Sequence, residues 1–158
     1  NFLFNSDGKV GIIDFGCVKE IPEDFYHDYF ALLIPELIDN EEMLLKIMGR
    51  IEMLYNTDTP NLQKAFKDAF IKMTKLLATP FRNETFDFGN DEYIESIYKL
   101  GEEISNDKIL KSSKDGRGSR HMLYINRTYF GIYSMLNQLK AKVEIGPKTW
   151  HQVLLKYH

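Results

Sequence analysis

Cysteine occurs once in the 158 residues, at Cys17. A single thiol excludes an internal disulfide framework and any Cys-x-x-Cys metal or redox pair, and a reducing compartment is the default expectation. An excess of positive charge is lacking too, since 20 Lys and Arg stand against 23 Asp and Glu and the isoelectric point is near 5.8. Nucleic acid is therefore not an expected partner, because the basic footprint that neutralises a phosphate backbone is missing. No apolar run approaches the roughly 18 residues of a membrane span, and the first residues carry neither an initiator Met nor a signal-peptide pattern. The sequence thus reads as a soluble, cytoplasmic protein, with any membrane contact peripheral, and Asn1 is expected to lie inside a longer polypeptide. His27, His121, His151 and His158 are scattered without ligand spacing, which argues against structural zinc.

What is present begins with Asn1 to Glu20, NFLFNSDGKVGIIDFGCVKE. Phe2–Phe4 and Val10–Ile13 are short apolar runs separated by a polar stretch containing Asp7-Gly8, a strong hairpin signal. After this hairpin the apolar period changes from two to about 3.6. Pro22-Glu23-Asp24 predicts a helix start, with Phe25, Tyr29, Leu32 and Leu33 on one side until Pro35 stops or kinks it. Asp39 or Asn40 can cap a helix running from Glu41 to Ile51. The clearest amphipathic segment is Leu62 to Ala78, followed by a loop through Thr85, a helix near Asp91–Gly101, and a polar stretch from Lys111 to Gly118. A long helix is expected over about Ser119–Lys140. Gly146-Pro147 then predicts a turn into a last helix containing Trp150, Val153 and Leu154. The expected fold class is mainly α, a single partial domain over residues 1–158 with one N-terminal β-hairpin followed by a helical bundle.

Asn1 and Asp14 are thirteen positions apart, and a hairpin between them returns the chain to where it began. An amide oxygen and a carboxylate are hard ligands suited to Mg²⁺, which keeps several waters and completes its shell with phosphate oxygens. In the kinase fold the catalytic-loop Asn and the Asp of Asp-Phe-Gly hold the metal in this way. Asp14-Phe15-Gly16 follows an apolar strand and has that Asn upstream. Asp87-Phe88-Gly89 repeats the tripeptide without either feature and reads as a turn before a helix.

Asn1-Phe2-Leu3-Phe4 with Gly11-Ile12-Ile13-Asp14-Phe15-Gly16 resembles the metal-binding half of the active site in the UbiB/AarF family of atypical kinases. Thr85–Gly89 resembles a loop of the coenzyme-Q-linked branch, and Arg127–Gly131 with Leu136–Ala141 resembles its C-terminal helix. The resemblance implies a protein-kinase-like C-lobe, with Asn1 and Asp14 as metal ligands and Mg²⁺ and ATP as cofactors of the intact protein. It implies a nucleotide and a small-molecule or lipid-like substrate as partners, and a role in isoprenoid quinone production. The loop Asp of the family would lie five residues before Asn1, so no catalytic residue is assigned within this chain and the lobe alone is expected to be inactive. Cys17–Ile21 leads almost directly toward a helix, leaving no room for an activation segment, so ordinary protein phosphorylation is not expected.

Two other readings remain open: a small-molecule phosphotransferase of the aminoglycoside or choline kinase type, and a non-catalytic interaction module that keeps Asn1 and Asp14 as structural residues. An apolar upper surface is expected in such a lobe, and it could drive self-association. Cys17 reads as a packing residue, and Arg127 as an ion pair tying helices together. Lys111, Lys114, Arg117 and Arg120 read as a solvated basic loop, with contact to acidic lipid headgroups as the less favoured role. Phe66, Phe70, Tyr124, Tyr129, Phe130 and Tyr133 recur at helical spacing and read as core.

Overall fold

The computed structural model describes residues 2–14, 18–34, 37 and 39–145. Asn1, Phe15, Gly16, Cys17, Pro35 and the expected last helix around Trp150 lie outside the described residues. Within them the chain is mainly helical behind an N-terminal two-stranded hairpin, as its periodicity implies. The strands β1 (Phe2–Phe4) and β2 (Val10–Ile12) pair antiparallel in the register Phe2↔Ile12, Leu3↔Gly11 and Phe4↔Val10. Their turn is closed by Gly8 N–H donating to Asn5 O at 3.0 Å and Asn5 N–H donating to Lys9 O at 2.9 Å. Gly8 takes φ +81°, the left-handed position that such three-residue loops require and that glycine adopts without steric cost.

Six α-helices follow among the described residues: α1 (Glu23–Ala31), α2 (Glu41–Arg50), α3 (Pro60–Leu77), α4 (Asp91–Asn106), α5 (Lys108–Lys111) and α6 (Arg120–Gln138). Most start where a side chain can satisfy an orphan N–H. Asn40 accepts from Met43, Thr59 from Leu62, Asn90 from Glu92, Asp107 from Ile109 and Leu110, and Ser119 from His121. Helix α1 has no such side-chain cap; Pro22 precedes it, and Glu23 and Asp24 face the positive end of its dipole. It ends at Ala31, before Pro35 is reached, although Leu32 and Leu33 remain buried in the turn beyond it. Helix α4 runs past the expected end at Gly101 because the apolar spacing of Tyr93, Ile97 and Leu100 continues to Ile104. One interior glycine, costing about 1 kcal/mol relative to alanine, does not stop it.

Among the described residues the apolar faces gather into two larger clusters and a small one of Leu33 and Ala78. One joins Phe25, Tyr29 and Leu32 with Leu44, Ile47, Met48 and Ile51 of the α2 region and Phe70 of α3. The other joins Phe88, Tyr93, Ile97 and Tyr133, and Tyr129 packs against both. Two tyrosines close the end of α3: Tyr93 Oη–H donates to Leu76 O at 3.1 Å and Tyr133 Oη–H to Leu77 O at 2.9 Å. Carbonyls left without an intrahelical partner thereby find a donor in the core.

The second Asp-Phe-Gly belongs to a short ladder that sequence patterning did not disclose. Strand β3 (Thr85–Asp87) pairs antiparallel with β4 (Lys142–Glu144), where only turns were expected. Phe88 N–H donates to Ala141 O at 2.9 Å, and Asn137 Nδ2 donates to Phe88 O at 2.9 Å. Phe88 is 1% exposed. Asp87 Oδ1 accepts from Gly89 N at 2.8 Å, and a side chain at residue 89 would meet that oxygen at 2.9 Å and Lys140 Cα at 3.2 Å. The tripeptide is a turn before α4, as read from sequence, and its phenylalanine is a core anchor.

The largest departure from the sequence reading is Arg117. Its side chain, expected in a solvated loop, is 8% exposed and pairs with that of Asp58, 3% exposed, although both residues are half-buried overall. Two parallel hydrogen bonds of 2.7 and 2.5 Å join them. The rings of Tyr55 and Phe66 each lie 4.4 Å from its central carbon. A planar cation fits such a slot as an ammonium would not. Lys111, Lys114 and Arg120 do lie on the surface.

Removing one partner of a buried pair leaves the other charge uncompensated, so Arg117→Ala should lose about 3–5 kcal/mol of unfolding free energy in urea titrations. Arg117→Lys should recover only part of it. The pair holds the Asp58 carboxyl below its ordinary value of 3.8, so its contribution is complete above that pH and is lost as pH falls through the lowered folded value. Stability of Asp58→Asn should accordingly vary less with pH below about 4 than that of the parent; parallel curves would contradict this assignment.

Candidate metal and nucleotide site

The hairpin register determines which end of the sheet carries Asp14. Phe2 pairs with Ile12, so the chain leaving β2 passes through Ile13 and reaches Asp14 at the end of the hairpin where β1 begins. Asp14 is exposed there, a hard carboxylate at an accessible edge. Asn1 immediately precedes Phe2 in sequence and lies outside the described residues. The opposite end of the hairpin holds the turn, where Lys9 Nζ and Asp7 pair at 3.0 Å and the neighbouring ammonium lowers the Asp7 carboxyl.

The surface around Asp14 is apolar. Phe2, Leu3, Phe4, Val10, Ile12 and Ile13 are all exposed. Because alternate residues of a strand point to opposite faces, exposure of Phe2, Leu3 and Phe4 together means that both faces are uncovered. Among the described residues, no group of three or more His, Cys, Asp or Glu side chains converges to hold a metal ion. An Asn–Asp pair completed by water and phosphate oxygens is a smaller set than that, and its oxygen donors suit Mg²⁺.

Lys19 lies five residues beyond Asp14, so the two Cα atoms can be at most about 18 Å apart. It helps line an open groove of about 690 Å³ together with Arg127 and apolar side chains that include Ile21, Phe30 and Ile132. Among the described residues no carboxylate lines this groove. Lys19 Nζ stands 5.8 Å from the centre of the Tyr124 ring, while Tyr124 and Phe130 are exposed and not in the core. Their helical spacing is real, but α6 turns those positions away from the helices it packs against. Phe66 is half-buried, with one face given to Arg117, whereas Phe70 and Tyr133 are core as expected. Arg127 is exposed and makes no ion pair among the described residues, so the inter-helix tie expected of it is not there. Neither the groove nor its two cations could be assembled from sequence, since Lys19 and Arg127 are 108 positions apart.

No family model matches the chain, and no solved structure matches it. Among curated proteins there is similarity to an atypical kinase. That relative is atypical kinase COQ8B, mitochondrial, of Danio rerio, 24% identical over 144 residues. The match covers 90% of this chain and 22% of the relative, so the chain spans about a fifth of that protein's length. The similarity supports a distant UbiB-like relationship. No described helix is long and apolar enough to cross a membrane.

Because Arg127 is exposed and tied to no charged group among the described residues, Arg127→Ala should change the unfolding free energy by less than about 0.5 kcal/mol. A loss above about 1 kcal/mol in urea titrations would restore the structural tie.

Proposed function

We propose that this chain is the carboxy-terminal lobe of a UbiB-like atypical kinase or ATPase. In this reading Asn1 and Asp14 hold Mg²⁺ against the phosphates of ATP, and the whole protein supports isoprenoid quinone biosynthesis. The observation that carries the reading is the hairpin register, which returns Asp14 to the end of the sheet where β1 begins. The distant similarity to an atypical kinase points the same way. Bound Mg²⁺ would neutralise charge on the phosphates; Asp14 would supply a carboxylate oxygen to it and Asn1 an amide oxygen. The acceptor in this reading is a small or lipid-like molecule, and the groove lined by Lys19, Arg127 and apolar side chains favours one that carries negative charge. Ordinary phosphorylation of protein substrates is not part of it. The lobe by itself would not turn nucleotide over, because the loop aspartate and the nucleotide-covering lobe of the kinase fold are not among its residues.

The same site suits a small-molecule phosphotransferase of the aminoglycoside or choline kinase type, and the hairpin's exposed apolar faces suit an interaction module or a contact between copies. Calorimetric titration of ATP with Mg²⁺ into a folded protein that joins this chain to a nucleotide-covering lobe separates the enzymatic readings from the last. Binding should require Mg²⁺ and fall at least tenfold in Asn1→Ala and in Asp14→Ala. Binding that ignores both substitutions, or its absence from the folded parent, would leave the hairpin as an interaction surface.

A further inference from the structure

Between α1, α3 and α6 lies a cavity of about 240 Å³ to which no residue of the hairpin contributes. Among the described residues its lining contains no charged side chain. Many of the lining residues, among them Met53, Met73, Met122 and Ala69, are only half-buried, so the space opens toward solvent. An apolar cavity of about 150 Å³ is enough to stay dry and admit benzene, so this one has room for a fused bicyclic ring. Methionines suit such a wall, because an unbranched thioether re-packs around guests of different shape.

The polar groups in the lining are few, and they are unequally satisfied. Tyr29 Oη–H donates to Asn126 Oδ1 at 2.5 Å, which fixes the amide so that its oxygen is occupied. Asn126 Nδ2 donates to nothing among the described residues. The hydroxyls of Thr74 and Tyr129 likewise have no hydrogen bond among them. Burial raises the Tyr129 hydroxyl well above its usual range, so it stays a donor. Of these groups the hydroxyls can donate or accept, whereas the Asn126 amide nitrogen can only donate, and an apolar chamber with a few polar groups in its wall is how small-molecule sites are built.

We infer that this cavity is a binding site for a small, neutral, apolar molecule of about bicyclic size that carries an acceptor oxygen, which Asn126 Nδ2 engages. Neutrality follows from the uncharged lining among the described residues, and the acceptor from the Asn126 amide nitrogen, the one group there that can only donate. Asp14 is not in its lining, and it shares Tyr129 with the groove that Lys19 and Arg127 line; the inference stands whether or not the nucleotide reading does.

The probes are 1-indanone and indane, two hydrocarbon frames of the same size of which only the first has an acceptor. The chain has six methionines; Met53, Met73 and Met122 line the cavity, whereas Met43, Met48 and Met135 do not. Methyl-labelled methionine spectra of the protein titrated with 1-indanone should show saturable shifts at the first three and little at the others. Affinity for 1-indanone should exceed that for indane by about two- to tenfold, the worth of one hydrogen bond. Ala69→Leu, which fills the space, should abolish both titrations, and Asn126→Leu should bring the two compounds within twofold of each other. Ala69→Leu also serves as the second variant, because Asn126→Leu strips Tyr29 of its acceptor and can unfold the chain. Shifts spread equally over all six methionines, binding that survives Ala69→Leu, equal affinity of the parent for both probes, or no shift up to the solubility limit would each overturn the proposal.

Discussion

The slot that holds Arg117 is the constraint on which the rest of the arrangement depends. Taking a guanidinium and a carboxylate out of water is costly, and geometry must compensate. Here it does so in three ways: two parallel hydrogen bonds to Asp58, two aromatic rings each 4.4 Å from its central carbon, and a further bond from Arg117 Nε to Ser113 Oγ. The backbone next to it is fixed as well, with Gly118 N–H donating to Glu52 O and Ser119 N–H donating to Ile51 O. Tyr55 Oη–H donates to Gly116 O. These bonds join the segment after α2 to the residue that caps α6, across about sixty positions of sequence. Helix α6 therefore begins in a set place and direction. Everything that α6 carries inherits that placement: Asn126 at the cavity, Arg127 on the groove, Tyr133 at the end of α3, and Asn137 on the backbone of Phe88.

The two copies of Asp-Phe-Gly show how far a tripeptide is from a site. In the second copy, Asp87 is occupied with the amide of Gly89, Phe88 is in the core, and Gly89 is crowded by Lys140. Each residue has a structural job, and Asn137 and Lys140 complete the corner through Asp91. In the first copy, Asp14 stands at the exposed end of a hairpin. What distinguishes them was visible in the sequence, because the first copy alone is preceded by an apolar strand, a turn and an asparagine. The strand and the turn supply the geometry that the tripeptide lacks.

The same contrast explains what the sequence disclosed and what it withheld. Helix faces, most helix starts and the hairpin are written in local patterns of three to five residues, and those were legible. The ladder of β3 and β4 joins two three-residue strands separated by more than fifty positions, and three residues are too few to show a period. Arg117 sat in a stretch of Ser, Lys and Gly whose composition reads as solvent-exposed, and nothing local says that Tyr55, Asp58 and Phe66 wait for it. Tyr124 and Phe130 failed in the opposite direction: periodicity places residues on one side of a helix, but only tertiary packing determines how wide a side is covered. For the candidate site, Asp14 was legible from the hairpin, while the groove of Lys19 and Arg127 required the fold.

One tension in the molecule remains informative. A two-stranded hairpin is marginal on its own, and it usually needs further strands or a helix against an apolar face. This one has apolar side chains on both faces and none of them buried. Its turn is well made and its register is unambiguous, so local chemistry defines its shape without supplying burial to hold it. Whatever covers these faces would therefore also set the position of Asp14, which the hairpin delivers to its open end. On the reading proposed above, metal affinity and the covering of the hairpin are one coupled equilibrium. Ligand at Asp14 would favour the covered state, and covering would strengthen binding by the same factor.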